Sequence, residues 1–296
     1  MTLPSKKSLS PLAPPAAFLS ADDLRARTFI RHIEIHDTLD STNNRAAELA
    51  RDTNIELPAL VVARHQTAGR GRGTNKWWSA DGALTFSLLI DSAAHGIGAD
   101  NWPQLSLTTA VAVCDALEAE CREQAAKNDS QLPTPGSLLP APCSIKWPND
   151  VLIEGQKVAG ILLESPGGAA PAKDRLIIGI GINVNNSWQQ GSCDQVPNST
   201  AMCDITGRSH DLQSLLDNIL CAVEHRISQL AAGDLKLPIS WQKLCCLTDQ
   251  TITVTNHGRQ TTGRCLGIAS DGALVIQNQA GKKYLYSGSV TTRAGE

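Results

Sequence analysis

The chain has 296 residues, which suits one large domain plus a small one. Hydrophobic residues make up 42% and charged residues 19%, a balance that excludes a disordered or low-complexity chain, and no run approaches the roughly 20 apolar residues of a membrane span. The net charge of -3 argues against whole-protein attraction to DNA or anionic membrane, so any anion site must be a local gathering of basic groups.

Residues 1–28 are rich in Pro, Ser and Ala and read as a flexible extension, with one short helical turn around Asp22 to Arg27. Lys6 and Lys7 are not followed by an apolar stretch, so a secretory signal is not expected. Residues 29–36 alternate like a strand. Within them His32, Glu34 and His36 share one face; the reading adopted is a half-exposed strand with Ile33 and Ile35 buried, not a metal site. Asp40, Ser41 and Thr42 are N-cap types ahead of Ala46, Ala47, Leu49 and Ala50, which places a helix start there. Leu60–Ala63 and Leu84–Ile90 read as strands, with a Gly- and Arg-rich loop from Thr67 to Asn75 between them.

Leu107, Ala110, Val111, Cys114, Leu117 and Cys121 follow helical spacing. Four prolines in 125–143 mark a long surface insertion. Strands are expected at 144–147, 151–153, 158–164 and 176–184. A long amphipathic helix follows from Leu212 to Leu230, closed near Gly233. From about Leu247, short β-rich runs alternate with turns at His257-Gly258, Asp271-Gly272 and Ala280-Gly281, which predicts a small all-β barrel. The fold class expected is α+β: a mixed sheet flanked by helices over 29–245, then the barrel over 246–296. The nine cysteines are odd in number and lack a C-x-x-C pair, so they read as free thiols in a reducing cytosol.

Five stretches carry possible chemistry. Gly69-Arg70-Gly71-Arg72-Gly73, followed by Trp77 and Trp78, combines close main-chain approach with forked cations and a stacking surface. It is neither a P-loop nor G-x-G-x-x-G, and alone it says only anion and nucleotide. Lys146-Trp147-Pro148-Asn149-Asp150 delivers a carboxylate at a proline-set turn, although Asn-Asp also serves plain hairpin turns. In Lys157-Val158-Ala159-Gly160-Ile161-Leu162-Leu163-Glu164 a lysine opens an apolar strand and Gly160 leaves room for a ligand; a lone lysine there is more often a snorkelling surface group. Gly179-Ile180-Gly181-Ile182-Asn183-Val184-Asn185 puts two glycines in a β run, with Asn183 as a neutral polar group at its end. Asp40-Ser41-Thr42-Asn43 serves equally as a helix cap and as a set of groups for a small polar ring.

These stretches, in this order from Asp40 to Asn183, resemble the biotin–protein ligase family, and the tail resembles its small SH3-like domain. The resemblance covers about residues 30–296. It implies ATP-dependent activation of biotin to biotinyl-5′-AMP, then transfer to one lysine of a carboxylase biotin carrier domain, in the cytoplasm, by a monomer or homodimer. Arg72 and Lys157 are implied to bridge the carboxylate and the α-phosphate, with Asp150 orienting or deprotonating the acceptor amine. Biotin is implied to lie among Ser41, Thr42, Gln66, Gly69, Arg70, Gly71, Gly160, Gly179 and Ile182. ATP is implied to meet Trp77 and Asn183, and Mg²⁺ to sit near Asp150 or Asn183. Some relatives carry a basic residue two positions before the loop tryptophan, where this chain has Asn75. Relatives that also act as repressors carry a winged-helix domain of about 60 residues or more; only 36 residues precede Asp37 and they lack its pattern, so a ligase without DNA binding is expected. The alternatives are a lipoate or octanoate ligase, a non-catalytic biotin-binding regulator, and a nucleic-acid binder using the Gly-Arg loop.

Overall fold

The computed structural model describes residues 18–127, 143–167, 172–187 and 198–292. Most of the expected insertion at 125–143, and residues 1–17 of the expected extension, lie outside them. The first described element is α1 (Ala21–Arg27), whose N-cap Ser20 side chain accepts from the Asp23 N–H and whose Leu24 is fully buried. β1 (His32–Leu39), α2 (Thr42–Leu49), β2 (Ala59–Gln66) and β3 (Leu84–Asp91) follow. Ile33 and Ile35 are half-buried against the core, less than the alternation predicted. The next elements are α3 (Trp102–Lys127), β4 (Cys143–Lys146), β5 (Asp150–Ile153), β6 (Gln156–Glu164) and β7 (Arg175–Ile182). α4 (Met202–Thr206), α5 (Leu212–Ala231) and α6 (Lys236–Leu244) complete the large unit.

Seven strands form one mixed sheet in the order β1-β2-β3-β7-β6-β5-β4. Only β1 and β2 run parallel, joined by a crossover through α2; every other pair is antiparallel. The expected mixed sheet flanked by helices is therefore present. Period-two alternation sorts its residues between two faces. Leu60 and Val62 of β2, Phe86 and Leu88 of β3, and Ile178, Ile180 and Ile182 of β7 join the main core with α3 and α5. Ala59, Val61, Leu89 and Ile177 point the other way, onto Ala46 and Leu49 of α2. All eight residues of β7 are buried, and each isoleucine contributes about 1.5–3 kcal/mol.

The second sheet corrects the sequence expectation. β8 (Thr251–Asn256), β9 (Arg259–Ile268), β10 (Leu274–Asn278), β11 (Gly281–Leu285) and β12 (Ser289–Thr292) form an open antiparallel sheet ordered β11-β10-β9-β8-β12. It is not closed into an SH3-like barrel, because edge strands β11 and β12 do not pair. Those edges carry Lys282, Lys283, Thr291 and Thr292, which solvate or guard a free edge. The sheet is tied to the large unit through indoles. Trp147 Nε1 donates to the Gly272 carbonyl at 3.1 Å, and Trp241 Nε1 to the Ala269 carbonyl at 3.2 Å. No described helix is long and apolar enough to cross a membrane.

Candidate functional site

The site starts from the glycines of β6 and β7. The alternation that sends Ile178, Ile180 and Ile182 into the core leaves Gly179 and Gly181 on the opposite face. In the β6–β7 register Gly160 lies opposite Gly181, and Leu162 opposite Gly179. Three missing side chains thus hollow a trench into an otherwise filled sheet face. The indole of Trp77 lies in it: a Cβ on Gly181 would overlap the ring, 2.6 Å from Cζ2 and 2.8 Å from Cδ2. A Cβ on Gly179 would overlap the Asn43 amide.

One end of the trench is charged. Asn149 is tied to β6 twice: its Nδ2 donates to the Ile161 carbonyl at 2.9 Å, and its own carbonyl accepts from the Ile161 N–H at 2.9 Å. That turn sets Asp150 beside Lys157, with Oδ1 2.6 Å from Nζ. The same ammonium lies 5.8 Å from the Trp77 ring centroid, within cation–π range. Arg72 reaches over from the Gly-Arg loop and donates through Nη1 to the Gly288 carbonyl of the second sheet at 2.6 Å. Burial lowers the affinity of its guanidinium for the proton, and the Asp150 charge opposes that shift.

The other end is lined by uncharged polar side chains from α2 and β2, with the Arg70–Glu164 ion pair beside them. Ser41, Thr42 and Asn43 open α2 and are all buried. Gln66 Oε1 accepts from the Thr42 N–H at 2.7 Å and from its hydroxyl at 3.2 Å. Ser87 Oγ lies 2.7 Å from Thr42 Oγ1 and donates to Asn43 Oδ1 at 2.6 Å. A cavity of about 490 Å³ joins the two ends, a volume suited to a small-molecule site. Its outer wall comes from the second sheet, through Asn256, His257 and Ser287–Val290.

Comparison with known proteins adds a separate line of observation. The family model described as the biotin/lipoate A/B protein ligase family matches residues 36–183, and that of the biotin protein ligase C terminal domain matches 248–293. The bifunctional ligase/repressor BirA of Bacillus subtilis (strain 168) is 31% identical over 271 residues, spanning 90% of this chain and 76% of that protein. The chain belongs to the biotin/lipoate A/B protein ligase family. A second relative in this family, the biotin--[acetyl-CoA-carboxylase] ligase of Paracoccus denitrificans, is 31% identical across 85% of this chain and 96% of its own length. The biotin protein ligase from Aquifex aeolicus in complex with biotin and ATP is similar in structure, with a TM-score of 0.70 and 26% identity over 89% of this chain and 99% of that one.

Within this biotin/lipoate ligase fold, Arg72, Lys157, Asp150 and Trp77 line the one cavity. Ser41, Thr42, Gln66, Arg70, Gly71, Gly160 and Gly179 line it too. Three residues expected there stand outside its lining. Gly69 shapes the loop from behind, since a Cβ there would sit 2.5 Å from the Trp77 carbonyl oxygen. Ile182 faces the core and is fully buried. Asn183 spends its side chain internally: Nδ2 donates to the Thr200 carbonyl at 3.1 Å and Oδ1 accepts from Asn186 at 3.0 Å. Asn43 and Gly181 stand inside stretches that the sequence singles out, but neither is given a ligand role of its own there, although Gly181 repeats the Gly179 pattern two residues on. Sequence reasoning missed Asn256, His257 and Gly288, for which no local signal exists.

Proposed function

We infer that the chain is a biotin–protein ligase: it activates biotin with ATP and transfers it to a lysine of a carboxylase biotin carrier domain. A carboxylate is a poor electrophile because attack on it would expel oxide. A biotin carboxylate oxygen therefore attacks the α-phosphorus, pyrophosphate departs, and biotinyl-5′-AMP results. The acceptor ε-amine, which must first lose a proton, then attacks the acyl carbon and AMP leaves. The observation that carries this reading is that Arg72 and Lys157, from separate chain segments, line one cavity whose far end is polar. Two anions about 4 Å apart repel by roughly 4 kcal/mol at an effective dielectric near 20, and those cations offset it.

Residue roles follow from place. Ser41, Thr42, Asn43 and Gln66 suit the ureido group, which costs on the order of 1–3 kcal/mol per unpaired buried polar atom. Gly181 and Gly179 leave room for the Trp77 indole and the Asn43 amide, and Trp77 offers a face to the acyl chain or to adenine. Asp150 is the one carboxylate lining the cavity among the described residues, so it is the group to orient the acceptor amine. The described residues hold no cluster of three or more metal-ligating side chains, so a divalent ion would be held chiefly by ATP phosphates and water, with Asp150 as its carboxylate partner. Such an Mg²⁺ would supply charge neutralisation on phosphate oxygens. A catalytic unit at 29–245 with a second unit at 246–296 is part of the proposal, supported by the two sheets and two family matches. A reducing, cytoplasmic setting is supported by eight described cysteines with free thiols.

Biotin-dependent ATP–pyrophosphate exchange tests the reading. Exchange that needs biotin is expected; exchange driven as well by octanoate or lipoate would transfer the assignment to the acyl relatives, and none with any of the three acids would end it.

A further inference from the structure

Glu164 closes β6 on the trench side, in step with Gly160 and Leu162, and does not itself line the cavity. Its carboxylate takes three N–H donors from two distant segments. Arg70 grips it with both terminal nitrogens, Nη1 to Oε1 at 2.7 Å and Nη2 to Oε2 at 2.6 Å. Asn43 Nδ2 donates to Oε2 at 2.7 Å. Asn43 passes the linkage on through Ser87 to Thr42, and Thr42 to Gln66. The Gly-Arg loop is braced internally by Gly71 N–H to Asn75 O at 2.8 Å and by Trp77 N–H to Gly69 O at 3.0 Å. Its two arginines anchor it outward: Arg72 to the Gly288 carbonyl beside the second sheet, and Arg70 to Glu164 of the first.

We propose that Glu164 is a positioning residue which clamps the Gly-Arg loop and the Asn43 amide to the same strand, so that recognition of the polar ring and closure over the acyl chain are coupled. This rests on the biotin-ligase reading for its ligand, not for its geometry. The forked pair fixes orientation as well as charge, which sets it apart from a lone surface ion pair. When Arg72 turns to ligand, Arg70–Glu164 is the anchor that keeps the loop in place.

The test is Glu164→Gln, which keeps shape and an acceptor for Asn43 while removing the charge that Arg70 grips. Two readouts are needed. In ligand-free protein, trypsin can cut the loop after Arg70, Arg72 and Lys76; scored at Arg72 and Lys76, which both variants keep, Glu164→Gln is expected to be nicked about tenfold faster than wild type, and Arg70→Gln, which opens the clamp from the loop side, by a similar factor. In biotin-dependent exchange, KM for biotin is expected to rise about tenfold while KM for ATP and kcat stay within twofold. The double variant Arg70→Gln/Glu164→Gln should be no worse than the worse single. Unchanged nicking, unchanged KM for biotin, or additive losses in the double variant would each overturn the clamp. Wild-type protein without biotin-dependent exchange would refute the ligase reading instead, and the nicking rates would still decide the clamp.

Discussion

Replacing Lys157 with methionine keeps the length of the stem against Gly160 and removes one charge. Its Nζ pairs with Asp150 at 2.6 Å, and the side chain is 30% exposed, so the site is partly screened. An ammonium bridging a carboxylate and a phosphate at about 4 Å gains roughly 4 kcal/mol from each at an effective dielectric near 20. Only the part that grows between ground and transition states speeds the reaction, so about half the sum, roughly 4 kcal/mol, is the expected loss. At 1.36 kcal/mol per decade that is about a 10³-fold fall in kcat/KM for biotin-dependent exchange. Asp150, left without its cation, deepens the loss. Once the adenylate exists the carboxylate charge is gone, so transfer from pre-formed biotinyl-5′-AMP to a carrier domain should fall less than about tenfold. Exchange and transfer are measured on the same preparation, with circular dichroism to confirm the fold. Exchange within threefold of wild type, or a transfer step damaged as severely as exchange, would refute the electrostatic account.

Gly181→Ala places a methyl where the Trp77 indole lies, an overpacking of about 1–3 kcal/mol; KM for biotin or ATP should rise about tenfold, and native values for both would show that ligands do not use that floor. Trp147→Phe strips the donor from the Gly272 carbonyl, costing about 1–3 kcal/mol and lowering Tm by roughly 2–5 °C; an unchanged melt would mean the indole is not a tie between the sheets. Glu34 is held down to about 2, first by the Arg45 guanidinium and then by His36 and His32, against opposing burial. A depressed carboxylate contributes stability that is full above its unfolded value near 4.5 and is lost as pH falls toward 2. The Tm deficit of Glu34→Gln should therefore be constant above pH 5 and shrink below it, and a deficit independent of pH would contradict that ion-pair cluster. EDTA should abolish exchange and excess Mg²⁺ restore it; full activity in chelator would remove the metal from the proposal.

The elements legible in the sequence are those with long apolar periodicity. Leu212 to Leu230 announced α5, and the near-continuous apolar run of β7 announced a buried strand. α6 escaped because Pro238 interrupts its pattern, although a proline in the first turn of a helix is tolerated. α4 is five residues long, too short to show a period. The barrel was expected because alternating strands and Gly turns look the same in an open sheet; closure depends on whether β11 meets β12, and neither strand's pattern encodes that. Within the site, charge and glycine stood out because they break the local pattern. Glu164 closes the Lys157–Glu164 stretch but carries no role there, since a carboxylate at a strand end is what solvent exposure alone would produce. The turns of the second sheet that wall the cavity are set by how two sheets dock, a property of tertiary contact and not of any segment.

The partner that Arg72 finds on the second sheet is a main-chain oxygen. A carbonyl belongs to every residue type, so no side-chain replacement at position 288 can delete it. What such a replacement alters is the path of the chain: Gly288 has φ of 140°, and a Cβ there would run into Val254. The vulnerability of that contact is thus conformational, and it resides in a single hydrogen atom where every other residue carries carbon.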